Sequence, residues 1–414
     1  MRKGSPTGFR AALAVGLLLG APVRAAEITD VADAGDIITI GATEKEDILD
    51  VYVGSEFRMV LSNGKITREP VNRAGVTSAD CSPTSTRDCL PVDELRWKGT
   101  TNILDFNMQI GIFQDLALTF GTHYVLSDSM RYRFAQDVTE NESSITNMGD
   151  PTINDLFLVP FESKHAGFGP MDLGIRFGAL NDERDDSKPS WVVHFNWASP
   201  WLSKTFNPNY VTTAAGKDDN RATKKDPGPV GDGVHRLRFG MAFSKRVANF
   251  GLIGIDTNIA RMGYVDPYFE VAYTLPVPQK SLTLKSMVPT KESEFGVRPS
   301  HEAELNIGFE LVPVEDLKRG RKVAIDFGLR STFCSEGRNG YNPFSPCATG
   351  LMVDPLAEPL YNEQFFVVKG LLGIYIQAAE YIRFKAGVNL GYVTEHFLTF
   401  EQAGIDDEGD GEDD

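Results

Sequence analysis

Cysteine is scarce in this chain, four in 414 residues, which excludes a disulfide-dense miniprotein. Long apolar runs are missing too. No stretch of eighteen consecutive apolar residues occurs, so helical membrane spans are not expected. Positive charge is in deficit: 41 Lys and Arg stand against 57 Asp and Glu, a formal net charge of -16. That balance disfavours a nucleic-acid partner. Catalytic signatures are absent as well, with no HExxH, GxSxG, Walker loop or dinucleotide fingerprint. The histidines His123, His165, His194, His235, His301 and His396 are scattered without metal-ligand spacing. No enzyme, cofactor or metal site is expected; the rival reading is a hydrolase that assembles His123 or His235 with a Ser and an acid.

What is present begins with an export signal. Arg2, Lys3 and Arg10 precede the apolar run Ala11 to Ala21, and Val23-Arg24-Ala25 offers a cleavage site after Ala25. Residues 1–25 are therefore expected to be removed, against the alternative of a buried N-terminal helix. Export suits the cysteines, which sit as two close pairs, Cys81 with Cys89 and Cys334 with Cys347, each able to close a local disulfide loop. Zinc is the rival reading, without CxxC spacing to support it.

The main signal is alternation with period two over long runs. Leu104, Phe106, Met108, Ile110 and Ile112 alternate with polar residues and glycine, and so do Leu116, Leu118 and Phe120 after a short join. The pattern returns near 51–61, 171–177, 191–197, 237–243, 269–273, 305–311, 323–329, 366–376 and 382–392, about eleven strands in all. Runs near eleven residues exceed ordinary soluble strands and match a tilted membrane crossing. The apolar faces can either pack together in a soluble sandwich or meet lipid around a closed sheet.

Join lengths favour the second. Short joins at 113–115, 181–190, 313–322 and 377–380 alternate with long polar segments at 62–101, 127–169, 199–233, 276–300 and 334–364. Short turns at one end and long loops at the other are the asymmetry of membrane barrels. Trp191 and Trp201, ten residues apart, would sit about 25 Å apart along the membrane normal, like two aromatic girdles. The segment 245–264 reads either as an extra strand pair or as an excursion.

With these features the chain resembles Gram-negative outer-membrane β-barrel proteins of the porin and transporter type. The resemblance covers nearly the whole mature chain as architecture. It implies an all-β, transmembrane, antiparallel up-and-down barrel of about 12 strands, surrounded by outer-membrane lipid and inserted by the barrel-assembly machinery. Members end in an aromatic-tipped strand; here the last strand, near 381–394, runs toward the long loops and the chain closes in an acidic tail. A twelfth strand is thus either missing beyond the end or supplied by 245–264.

The expected organisation is a signal peptide at 1–25, an N-terminal segment or small plug at 26–48, a barrel at 49–395 and a tail at 396–414. The tail packs Asp and Glu around Gly409 and Gly411 and reads as solvated, with calcium binding as the alternative. Gly228 to Gly233 reads as a flexible rim rather than a phosphate loop. The residues expected to line the lumen are Glu56, Arg58, Asp105, Asp172, Arg176, Arg236, Arg238, Glu302, Glu304, Asp326, Arg330, Lys369, Arg383 and Lys385, with Glu270 and Glu310 beside them. Their near balance of sign implies ion-pair ladders, and the last four bases form a positive stripe. The expected role is passive movement of an unidentified small solute by a monomer. The alternatives are a surface-binding or structural barrel with a blocked lumen, and a secreted soluble β-sandwich.

Overall fold

The computed structural model describes residues 9–19, 51–68, 92–113, 115–136, 161–180, 188–205, 229–245, 264–279, 298–316, 321–340, 342–347, 352–353, 358–359, 361–379, 382–396 and 398–399. Twelve long strands make one closed barrel. They are β1 (Phe9–Leu19), β2 (Val51–Arg68), β3 (Val92–Phe113), β4 (Leu116–Phe134), β5 (Phe161–Leu180), β6 (Ser190–Ser199), β7 (Val234–Ser244), β8 (Tyr264–Pro278), β9 (Glu302–Asp316), β10 (Arg321–Cys334), β15 (Phe365–Ala379) and β16 (Ile382–Val393). Each pairs antiparallel with its chain neighbour, and β1 closes the ring between β16 and β2. Among the described residues five two-residue strands lie outside the wall: β11 (Gly337–Arg338), β12 (Met352–Val353), β13 (Glu358–Pro359), β14 (Tyr361–Asn362) and β17 (Leu398–Thr399).

Alternation sorts the side chains by face. On β8, Asp266, Tyr268, Glu270, Ala272 and Thr274 are buried, while Phe269, Val271 and Tyr273 between them are exposed. On β9, Glu302, Glu304, Asn306 and Glu310 are buried, whereas Leu305, Ile307 and Phe309 are exposed. A soluble sandwich would invert this, so carboxylates inside and phenylalanines outside identify a barrel whose outer face is made for lipid. On β2 the outward apolar series runs from Val51 to Leu61. That span is about 25 Å along the normal at a tilt near 40°, the height of a hydrocarbon belt.

Three expectations change. Among the described residues the twelfth position is filled by Phe9–Leu19, inside the segment read as an export signal. Residues 246–263 lie outside the described residues, as do Cys81, Cys89, residues 26–48 and the acidic end from 400 onward. Second, the segments 62–101 and 127–169 are not loops throughout, because β2 to β5 run to Arg68 and Phe134 and start at Val92 and Phe161. Past the lipid both faces are wet, so the apolar alternation that marks a strand in the sequence stops before the strand does. Third, Pro200 ends β6, and a 3₁₀ turn at Pro200–Leu202 carries Trp201 edge-on against Trp197, with ring centroids 4.8 Å apart.

The long-loop end, called the loop end below, collects the starts of β3, β5, β7 and β9 and the finishes of β10 and β16. There Cys334, the last residue of β10, forms a disulfide with Cys347 (S–S 2.04 Å). Closing a loop of that size stabilises by about 3 kcal/mol. The short-turn end, opposite, is packed by two apolar groups: Ala117, Val192 and Ala242, and Tyr264, Val312, Ala324 and Tyr375.

Candidate functional site

Two charged walls face each other inside the barrel. The first is built on β2 to β5. Arg58 reaches across to Asp105 with both Nε (2.8 Å) and an Nη (3.0 Å). The other oxygen traffic of Asp105 goes to His123, whose Nδ1 lies 2.5 Å away. Nε2 of His123 meets Asp172 at 2.6 Å. Four adjacent strands are thus laced by Arg58, Asp105, His123 and Asp172. Both imidazole nitrogens are occupied by carboxylates, so His123 has none to spare for activating a hydroxyl. His235 is no better placed: it sits on the outer rim, where Trp197 donates its indole N–H to Nδ1 at 3.2 Å.

The second wall runs over β6 to β10. Glu270 is its hub, accepting from His194 (2.9 Å), Arg238 (3.0 Å) and Asn306 (2.9 Å). Arg238 also reaches Glu304 at 2.7 Å, and Arg330 donates to Asn306 at 2.8 Å. Lower down, Tyr268 donates to Asp326 at 2.8 Å and Lys322 stands 3.3 Å from Glu310. These acids are almost wholly shielded: Asp326 is 0% and Glu310 1% exposed. Charges buried this deeply must be partnered, and the ladder partners them across strands.

Two loop segments cross the space between the walls. Within the loop closed by the disulfide, Ser345 donates to Glu302 at 2.6 Å and Asn342 to Asp232 at 3.1 Å. Phe344, between them, reaches His123 with ring centroids 4.8 Å apart. In the strand order β10 and β4 are six places apart in a ring of twelve, so the contact of Phe344 with His123 joins opposite sides of the lumen. The second segment, 229–233, joins it. Val230 is fully buried with Ile103 and Val125, packed by Phe344, and the Pro229 carbonyl lies 2.7 Å from His165 Nδ1. Asp232 holds Arg236 through both oxygens, at 3.1 and 2.5 Å. Gly228 to Gly233 was expected as a flexible rim; its described part, 229–233, is an inner brace instead.

The lining set falls as follows. Glu56, Arg58, Asp105, Asp172 and Arg176 lie on the inward face of the first wall, and Arg236, Arg238, Glu302, Glu304, Asp326 and Arg330 on that of the second. Lys369 is level with Arg330 across the ladder, and Lys385 is level with Tyr375. Arg383 is level with Gln377, and only its backbone is described. Arg58 and Asp172 keep side-chain exposures of 31% and 34%, so solvent reaches the first wall more than the second. The alternation on β9 puts Asn306 on the polar face with Glu304 and Glu310, but the sequence reading missed Tyr268, Asp232, Asn342, Phe344 and Ser345. Tyr268 shares parity with Glu270, a usable clue; the four loop residues carry no periodicity that points inward. Among the described residues no cluster of three or more His, Cys, Asp or Glu could hold a metal ion.

No family model matches the chain, and no curated protein does. Among solved structures it is similar to an outer-membrane channel from Pseudomonas putida F1 at 10% identity and TM-score 0.22, covering 95% of this chain and 97% of that one. It is similar also to the Pseudomonas putida toluene transporter TodX at 9% identity and TM-score 0.27, covering 96% and 90%. The β domain of the Bordetella autotransporter BrkA follows at 8% identity and TM-score 0.22, covering 93% and 99%. At such scores the reading of a barrel stands on the strand order and the two faces described above.

Proposed function

We propose that this chain is an outer-membrane channel that passes a small solute passively, with the inner loop 335–347 as its constriction. The observation that carries the reading is the bridge across the diameter: an apolar ring, Phe344, laid on a charged wall inside a sheet whose outer face is apolar. A loop folded inward narrows a pore without filling its length. Acids and bases lining both walls favour a hydrophilic solute over an apolar one, since side-chain charge sets pore selectivity. Passage needs no covalent chemistry. The chain reaches the membrane after export on the N-terminal segment 1–25.

Planar-bilayer recording of the purified full chain tests this. Discrete conductance steps are expected, and Phe344→Ala is expected to enlarge them. Silence from both proteins would sink the channel. Silence would instead favour the second reading, a barrel with a blocked lumen that binds through its loops, which the near-complete burial of Glu310, Asp326 and Tyr375 at the short-turn end supports.

A further inference from the structure

Strands β2 to β5 have 18, 22, 19 and 20 residues, against 10 and 11 for β6 and β7. Their extra length projects beyond the apolar belt at the loop end. The outward face of this projection is basic. Lys65 lies two alternations above the exposed Leu61, and Arg96 and Lys98 continue the face of the exposed Phe106. Arg131 and Arg133 point opposite to the buried Met130 and Tyr132, and Lys164 opposite to the buried His165. Arg96, Lys98, Arg131 and Arg133 are exposed, and Lys65 and Lys164 are part-exposed.

Register turns these residues into a patch. Lys65 is directly opposite Arg96, and Arg96 opposite Arg133. One row nearer the belt, Asn63 faces Lys98 and Lys98 faces Arg131, with Glu162 next on β5. The row below ends in Ser129 facing Lys164. Like charges directly opposite on neighbouring strands repel. In a chain of net charge -16 such crowding is out of keeping with the whole. The outward face of the strands next to it is different: at the loop end β6 to β8 present Trp197, His235 and Tyr273.

We infer that this patch binds the phosphate groups of anionic lipid headgroups in the leaflet at the loop end. Height decides the occupant. Asn63 and Lys65 stand two and four residues past Leu61, about 5 and 10 Å above the belt, where the headgroup layer lies. Arginine forks and lysine ammonium groups hold phosphate oxygens well, and anions between the rows would relieve the repulsion. The inference rests on the membrane-spanning barrel and not on passage of a solute.

The test uses the full chain purified in detergent, titrated with a bis-phosphorylated glycolipid and followed by retained lipid in native mass spectrometry. The comparison is the quadruple variant Arg96→Gln, Lys98→Gln, Arg131→Gln, Arg133→Gln. Its retention is expected to fall on the order of a thousandfold, and the native chain is expected to hold the dephosphorylated glycolipid no better than the variant does. Equal retention by variant and native chain overturns the patch. Full competition by inorganic phosphate alone overturns the lipid as its source. Heat-modifiable gel mobility separates these results from the barrel itself: the variant should keep it, and its loss from the native chain would remove the membrane reading instead. Should the quadruple variant not fold, the pairs Arg96→Gln with Arg133→Gln and Lys98→Gln with Arg131→Gln carry the same comparison, each with a smaller loss.

Discussion

At the scale of single residues, the deepest part of the second wall depends on one phenol. Tyr268 extends over Gly308 and Gly328, which face each other on β9 and β10, to donate to Asp326. A Cβ at Gly308 would lie 2.5 Å from both the Tyr268 hydroxyl and the Phe327 carbonyl, so only glycine leaves the ring its path. Tyr268→Phe is expected to destabilise the barrel by about 1–3 kcal/mol, because a buried carboxylate loses its donor. Gly308→Ala should weaken the same contact by displacing the ring. The urea midpoint of the heat-modifiable form measures both. Tyr273→Phe is the control: its hydroxyl meets the exposed His301 at 2.6 Å on the outer face, and its midpoint should scarcely move. Equal midpoints for Tyr268→Phe and Tyr273→Phe would show that Asp326 does not need the phenol.

At the scale of elements, the inner loop is held at both ends of its crossing. Cys334–Cys347 anchors it to β10, and Phe344 rests on His123 above Gly169. A Cβ at Gly169 would fall 2.5 Å from the Phe344 ring, so Gly169→Val is expected to lift the ring off the first wall. Treatment with a reductant is expected to loosen the other end. Both changes should raise the open fraction in single-channel records, and unchanged records in both would relieve the loop of any gating part. The strands themselves were legible because lipid outside and charge inside impose strict alternation. Phe269, Val271 and Tyr273 against Glu270 and Ala272 need no structure to be sorted. The inner loop was not legible, because Asn342 and Phe344 act through partners more than a hundred residues away and Ser345 through Glu302 on the neighbouring strand. A polar segment between strands reads as surface whichever way it folds. The tops of β2 to β5 were missed for a different reason: above the membrane, Lys65, Arg96 and Arg133 face water and headgroups, and apolar alternation no longer tracks the strand.

At the scale of the whole molecule, one segment answers to two physical descriptions. Phe9–Leu19 is apolar and eleven residues long, which suits the core of an export signal and also a strand across a bilayer. In the barrel Leu13 is flanked by Met59 on β2 and Val388 on β16. Both neighbours run antiparallel to β1, so they run parallel to each other. Cleavage after Ala25 would leave eleven strands, and an odd number of alternating strands can close only through one parallel seam. Bacterial single-chain barrels keep an even count and avoid such a seam. The expected outcome is nevertheless cleavage, with β2 and β16 meeting directly, since an open edge in hydrocarbon strands a row of backbone groups at several kcal/mol each. Intact mass of the membrane-extracted chain reads the first half: it should lack residues 1–25. Cysteine pairs read the second. With β1 in place, Met59→Cys and Val388→Cys stand two strand spacings apart, about 10 Å, beyond the reach of a disulfide. With β1 removed, that pair or one shifted by two residues should crosslink. A full-length mass with no crosslink at any of these positions would make Phe9–Leu19 a permanent stave of a twelve-stranded wall and would deny it the role of a leader.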